Sequence, residues 1–133
     1  MGDTLGRKPK EQNGQLTEFE LEVMSILWAS DGATATEVHQ NLSEDRELAY
    51  TTVSTILRVL EKKGVVVPEK VGRQHLYKPV VSKEEHQSQS LDNLLNKVFD
   101  GTASSLVQRL VEDKKISKQE IDDIRSILKD LES

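Results

Sequence analysis

Residues 50–64 read YTTVSTILRVLEKKG, and how this stretch is read decides the fold. Wound as a helix at about 100° per residue, it places Ala49, Val53, Ile56, Leu57 and Leu60 on one arc and Thr51, Ser54, Thr55, Arg58 and Lys62 on the opposite one. One arc is a core face. The other carries hydroxyls and cations with no carboxylate near its centre, whereas an ordinary solvated helix face mixes both signs of charge. Hydroxyls and cations suit phosphates and base edges, so this helix is expected to be the recognition helix of a DNA-binding protein. Gly64, following Lys62 and Lys63, is the expected stop.

Upstream, two Ser/Thr-x-x-Glu capping boxes mark helix starts. Thr17-Glu18-Phe19-Glu20 opens a helix whose Leu21, Met24, Leu27 and Trp28 form a buried stripe, with Trp28 read as core, and Asp31-Gly32 ends it. Thr34-Ala35-Thr36-Glu37 opens a short helix with Val38 and Leu42 four apart, and residues 43–47 make a turn into the recognition helix. Two helices and a short link are the outline of a helix-turn-helix. Downstream the pattern turns to strand. Residues 65–67 and 75–77 flank Val71-Gly72-Arg73-Gln74, a two-stranded hairpin with Gly72 at its tip and Pro68 on an edge or bulge. Helices followed by such a hairpin make a winged helix, and this wing exposes Lys70 and Arg73.

From Ser82 the chain is helical again, with capping boxes at Ser82–Glu85 and Ser117–Glu120. Three amphipathic helices carry Leu91, Leu94, Leu95 and Val98, then Leu106 and Leu110 with Val107 and Val111, then Ile121, Ile124, Leu128 and Leu131. About fifty residues are too few to bury all these stripes alone, so they are expected to pair with a second copy. A two-fold dimer would place two recognition helices on a palindromic operator. The expected organisation is therefore a disordered arm over residues 1–15, a winged-helix domain over 16–81 and a helical dimerisation domain over 82–133. The fold class is mainly α with a small β wing.

Composition bounds the function. The 133 residues have a net charge of −5, which argues against nucleic acid if taken as a whole. Taken by segment, residues 58–78 hold six cations against two anions, while residues 82–133 hold eight against eleven. A local basic footprint on an acidic body is what a DNA-binding element produces. Arg7, Lys8 and Lys10 of the arm could reach a phosphate backbone, though a solubilising tail is the plainer reading. Apolar residues at 35% are sparse against the roughly 45 to 50% (glycine included) of typical chains, so the core is lean. There is no cysteine, hence no disulfide and no thiolate metal site. No apolar run approaches a membrane span, and a soluble cytoplasmic protein is expected. His39, His75 and His86 are scattered, with no triad, H-E-x-x-H pair or phosphate loop about them. They are taken as surface or wing histidines, with no enzyme, cofactor or metal implied.

The runs LTEFELEVMSILW (residues 16–28), AYTTVSTILRVLEKKGVV (49–66) and GRQHLYKPVVS (72–82) resemble the BlaI/MecI/CopY penicillinase-repressor family over residues 16–131. The resemblance implies a homodimeric bacterial repressor whose winged helix reads a short inverted repeat at a promoter. Carried over, Thr51, Thr52, Thr55 and Arg58 would meet bases or adjoining phosphates, and Arg73 would be the wing contact. The full set of expected DNA contacts is Tyr50, Thr51, Thr52, Ser54, Thr55, Arg58, Lys62, Lys70 and Arg73.

Two departures stand out. The copper-responsive branch binds metal through cysteine motifs that this chain lacks. The β-lactam-responsive branch is cut at an Asn-Phe bond in the helix that here reads SSLVQRLVED (residues 104–113), where this chain has Arg109-Leu110 and nowhere an Asn-Phe pair. A membrane sensor peptidase as partner would need another site. Two other regulatory readings stay open: a MarR-like ligand-responsive regulator, and a winged helix that contacts protein and not DNA.

Overall fold

The computed structural model describes residues 16–44 and 46–132. The expected disordered arm, with Arg7, Lys8 and Lys10, lies outside them. In chain order the elements are α1 (Glu18–Ser30), β1 (Ala33–Thr34), α2 (Ala35–Leu42), α3 (Tyr50–Lys62), β2 (Val66–Val71), β3 (Gln74–Pro79), α4 (Lys83–Val98), α5 (Ala103–Glu112) and α6 (Lys118–Glu132). They fall into two compact units, residues up to Ser90 and residues from Leu91 onward.

The helix starts follow from local chemistry. In all four capping boxes the Ser/Thr hydroxyl accepts from the backbone amide three residues on, and the Glu carboxylate accepts from the cap's own amide. For α1 these bonds are 3.1 and 2.9 Å, and α2, α4 and α6 repeat them. Each cap supplies about 1 kcal/mol by satisfying amides that the first turn leaves orphaned. The end of α3 is a Schellman motif. Gly64 sits at φ +82°, its amide bonds Glu61 O at 3.0 Å, and the Val65 amide bonds Leu60 O at 3.2 Å. Val65 and Leu60 are both fully buried there, which adds the apolar contact that accompanies this motif.

The core of the first unit is assembled from three helices and the strand that leaves α3. Val23, Met24 and Leu27 of α1, Val38 and Leu42 of α2, and Val53, Leu57 and Leu60 of α3 close on Val65 and Val66. Burial of each such side chain is worth about 1.5 to 3 kcal/mol. Ile56 packs against the cluster part-buried. Ala49, expected on the core arc, is instead the exposed N-cap of α3. The helical arc begins only at Tyr50, so the residue before it is not bound by the helix's facing.

The sheet differs from the expected two-stranded hairpin. It has three antiparallel strands in the order β1-β3-β2, with Ala33 opposite Tyr77 and Thr34 opposite Leu76. The β2/β3 hairpin keeps the expected turn: Val71 pairs with Gln74, and Gly72 alone between them has positive φ (+64°), as a type II′ turn requires of its first position. Pro68 lies on β2, an edge strand, where its missing amide costs no ladder bond. The added strand depends on Gly32. Its φ is +112°, and a Cβ there would stand 3.3 Å from Tyr77 O and 3.1 Å from Lys78 Cγ. A side chain at residue 32 would hold β3 off the end of α1.

In the second unit the distal part of α4 is followed by α5 and α6. The turn between α5 and α6 closes with Lys114 at φ +57° and the Lys115 amide on Leu110 O at 2.9 Å. Among the described residues of α5 and α6 none is buried. Leu95, Leu106, Leu110 and Ile124 are half-buried, whereas Leu91, Leu94, Val98, Val107, Val111, Ile121, Ile127, Leu128 and Leu131 are exposed.

Candidate nucleic-acid interface

The outward side of α3 is polar because its inward side is not: with Val53, Leu57 and Leu60 committed to the core, Thr51, Thr52, Thr55, Arg58 and Lys62 are left exposed and Ser54 half-exposed. Tyr50, the first residue of the helix, is 47% exposed. Ser54 and Arg58 follow Tyr50 at four-residue spacing and form a stripe facing the hairpin. With Arg73, Gln74, His75 and Tyr77 of the wing and Thr34, Ala35 and Thr36 at the start of α2, that stripe lines a polar cleft of about 210 Å³. Of the expected DNA contacts the structure thus brings Tyr50, Ser54, Arg58 and Arg73 to one cleft. Thr51, Thr52, Thr55 and Lys62 stand on the same helix away from the cleft, and Lys70 is exposed on β2.

The electrostatics divide the basic stretch into two kinds of cation. Lys63 Nζ lies 2.7 Å from Glu20 Oε1, a buried carboxylate that also accepts the Thr17 amide, and so ties the end of α3 to the start of α1. Lys78 lies 3.4 Å from Glu69 across the hairpin. Arg46, in the turn before α3, reaches Glu22 at 2.6 Å and stands over the Phe19 ring. No ion pair engages Arg58, Lys62, Lys70 or Arg73 among the described residues. Within residues 58–78, the cations without a carboxylate partner among the described residues are those of the α3 outer face, with Lys70 and Arg73 of the wing. Glu61 sits on the flank of that face. Tyr77 lies between the charges: burial above all, and then Glu61, raise its pKa, with Arg58 opposing, so the phenol stays protonated and able to donate a hydrogen bond.

Two histidines expected at the surface are not there. His39 is half-buried, and its Nε2 lies 2.7 Å from the Leu48 carbonyl, which can only accept, so that nitrogen carries the proton. His86 is 7% exposed, with its ring 5.6 Å from that of Trp28 and its Nε2 3.3 Å from Ser90 Oγ. Burial pushes its pKa below the ordinary value. Trp28 is only part-buried, and its indole N–H donates to Val81 O at 2.9 Å. The signal that could have located His86 was its place at the fourth helical position after the Ser82 cap, which with Val81 just before the cap makes the N′–N4 pair of a hydrophobic staple. His75 is exposed on the wing. No group of three or more His, Cys, Asp or Glu positioned to hold a metal exists among the described residues.

Helices α1 to α3 with the sheet that follows them define a winged helix-turn-helix. The same architecture occurs in the complex structure of hsRosR-S4, at TM-score 0.54 with 20% identity over 80% of this chain and 96% of that one. The penicillinase repressor family pattern matches residues 16–130, and the chain belongs to that family, one of transcriptional repressors and not of enzymes. It is 30% identical to the penicillinase repressor of Bacillus licheniformis over 87% of this chain and 91% of that protein. It is 34% identical to the transcriptional regulator BlaI of Mycobacterium tuberculosis (strain CDC 1551 / Oshkosh), over 90% and 86%. The methicillin resistance regulatory protein MecI of Mammaliicoccus sciuri is 30% identical over 86% and 93%.

Proposed function

We propose that this chain is a cytoplasmic, dimeric transcriptional repressor that binds a palindromic operator through α3 and the wing and excludes RNA polymerase from a promoter. The observation that carries the reading is the segregation of charge: among the described residues Arg58, Lys62, Lys70 and Arg73 have no carboxylate partner, while their neighbours Lys63 and Lys78 do. On this reading α3 enters the major groove, with Thr51, Thr52 and Thr55 at base edges and Arg58 at a base or phosphate. Tyr50, Ser54 and Arg73 hold the backbone strand that passes over the cleft, and Lys70 extends the grip along the wing. Threonine discriminates moderately, through its hydroxyl and through its methyl against thymine. Two half-sites read together multiply that discrimination, which is why the dimer matters.

The second unit supports the dimer by what it leaves uncovered. Leu91, Leu94, Val98, Ile121, Leu128 and Leu131 are exposed in the single chain, and with the half-buried Leu95, Leu106, Leu110 and Ile124 they make an apolar surface suited to a second copy. Release requires an inducing signal. Cleavage by a membrane sensor peptidase would need a bond other than Asn-Phe, which the sequence lacks.

The test is a mobility shift on the promoter DNA of the neighbouring genes with wild type, Thr55→Ala and Arg58→Ala. Both variants are expected to lose the specific shift while eluting at the wild-type volume. Retention of the shift by both at moderate salt would place the interface elsewhere.

A further inference from the structure

Helix α3 starts without the device that starts most of the others. Its N-cap is Ala49, which has no side chain to accept from the first turn, whereas α1, α2, α4 and α6 each begin with a complete capping box. The amides of Thr52 and Val53 both turn to Ala49 O, at 3.1 and 3.4 Å, the second a long bond. A first turn so lightly held would be expected to fray. It is instead gripped from outside the helix by a residue of α2. His39, in the last turn of α2, donates from Nε2 to the carbonyl of Leu48, two residues before α3, and its ring meets the Tyr50 ring edge-on at a centroid distance of 5.8 Å and an angle of 74°. One imidazole thus spans the turn of the helix-turn-helix and holds both the chain entering α3 and the first side chain on its outer face. Leu48 itself packs against the core, so the grip is anchored to the rigid part of the unit.

We infer that His39 is a positioning residue for DNA recognition: it fixes the chain that enters the uncapped start of α3, without itself accepting from the first-turn amides, and sets the direction of Tyr50 over the cleft that Tyr50 shares with Ser54, Arg58 and Arg73. The inference rests on the DNA-binding reading above. His39 does not line the cleft and makes no DNA contact of its own on this account. Its loss therefore acts on sequence discrimination, which needs the start of α3 held in one place, more than on the salt-dependent attraction to any DNA, which needs only the cations. The accepting atom is a carbonyl, and both the Nε2–H tautomer of the neutral ring and the imidazolium can donate to it.

The experiment compares wild type, His39→Ala and His39→Gln for binding to an operator duplex and to a scrambled duplex of equal length, by fluorescence anisotropy at two salt concentrations and at pH 6 and 8. Amide exchange is measured at Val53 and Ser54 in the free proteins. In His39→Ala the ratio of operator to scrambled affinity should fall about tenfold at both pH values, with scrambled binding and its salt slope unchanged and exchange at the two amides about tenfold faster. His39→Gln, whose amide can still donate to Leu48 O, should recover most of both. An unchanged ratio together with unchanged exchange overturns the inference. An equal loss on both duplexes, tracking a loss of folded protein, also overturns it, since that is what a merely structural residue would do. A wild type that fails to discriminate the duplexes sinks the DNA reading itself, and the exchange data then still decide whether His39 holds the start of α3.

Discussion

Salt dependence offers a quantitative check on the division of cations at the proposed interface. Each cation that takes a phosphate releases counterions, and the logarithm of affinity falls with the logarithm of salt at about −0.9 per contact. Arg58, Lys62, Lys70 and Arg73 have no carboxylate partner among the described residues, so a two-fold dimer with all of them engaged has a slope of about −7. Between 50 and 200 mM salt its affinity then drops by about 10⁴-fold. Arg73→Ala removes one contact per protomer and flattens the slope by about 1.8, reducing that drop to about 10³-fold. Lys78 is the internal control. It lies on the same hairpin, but Glu69 is 3.4 Å from its ammonium, and reaching a phosphate means leaving that partner, so Lys78→Ala should leave the slope within error of wild type. Fluorescence anisotropy on a labelled operator across a salt series reads all three. If Lys78→Ala flattens the slope as much as Arg73→Ala, pairing does not determine which cations meet DNA. A wild-type slope shallower than about −2 would remove the charged face from the interface altogether.

Further outcomes follow from other parts of the molecule. Leu128 is 53% exposed in the single chain, so Leu128→Asp should leave each chain folded yet monomeric at micromolar concentration by light scattering, with operator affinity lost; an unchanged mass would remove α6 from the dimer contact. Ile124→Asp should do the same, but Ile124 is half-buried, and some loss of helix content should accompany it. Gly32→Ala should cost upwards of about 2 kcal/mol in urea unfolding, from backbone strain and the close approach of Tyr77 O. Gly72→Ala, in open space at φ +64°, should cost about 1 kcal/mol. His86 has a folded pKa below its ordinary value of 6.5. The unfolded chain therefore binds the proton more readily, and the stability this group contributes is complete above pH 6.5 and declines as the pH falls through the folded pKa. His86→Phe should flatten unfolding free energy against pH over that window, and an equally steep profile in the variant would exclude His86 as its source.

Much of the fold was legible because its signals are local. Capping boxes, the glycine after Lys63 and the Gly72 turn each act within a few residues, and the apolar period of residues 53–60 is set by the helix itself. What escaped depends on residues far apart. Strand β1 is two residues long, too short for any period, and its Thr34 also caps α2, so the capping signal concealed the strand. The burial of His86 depends on α1, whose Trp28 bonds Val81 across 53 residues of sequence. The pairing of Lys63 with Glu20 spans 43, and without it six cations in one segment look equivalent. His39 reads as a surface histidine in the sequence for a different reason: a half-buried imidazole on a carbonyl leaves no pattern in the residues around it.

That doubly used Thr34 has a mechanical consequence. The wing is joined to the rest of the unit by the β2 connection, and also by β1, whose two residues pair with β3 at Tyr77 and Leu76 just where α2 begins. A hairpin held only at its base could swing; one stitched to the first turn of the neighbouring helix cannot do so without breaking that helix's start. The gap between α3 and the wing is therefore a caliper locked before it meets its object. On the proposed reading, a duplex whose backbone matches that opening would be gripped with little entropy left to lose, and one that does not would have to bend to fit or be refused, so that shape would be tested alongside base sequence.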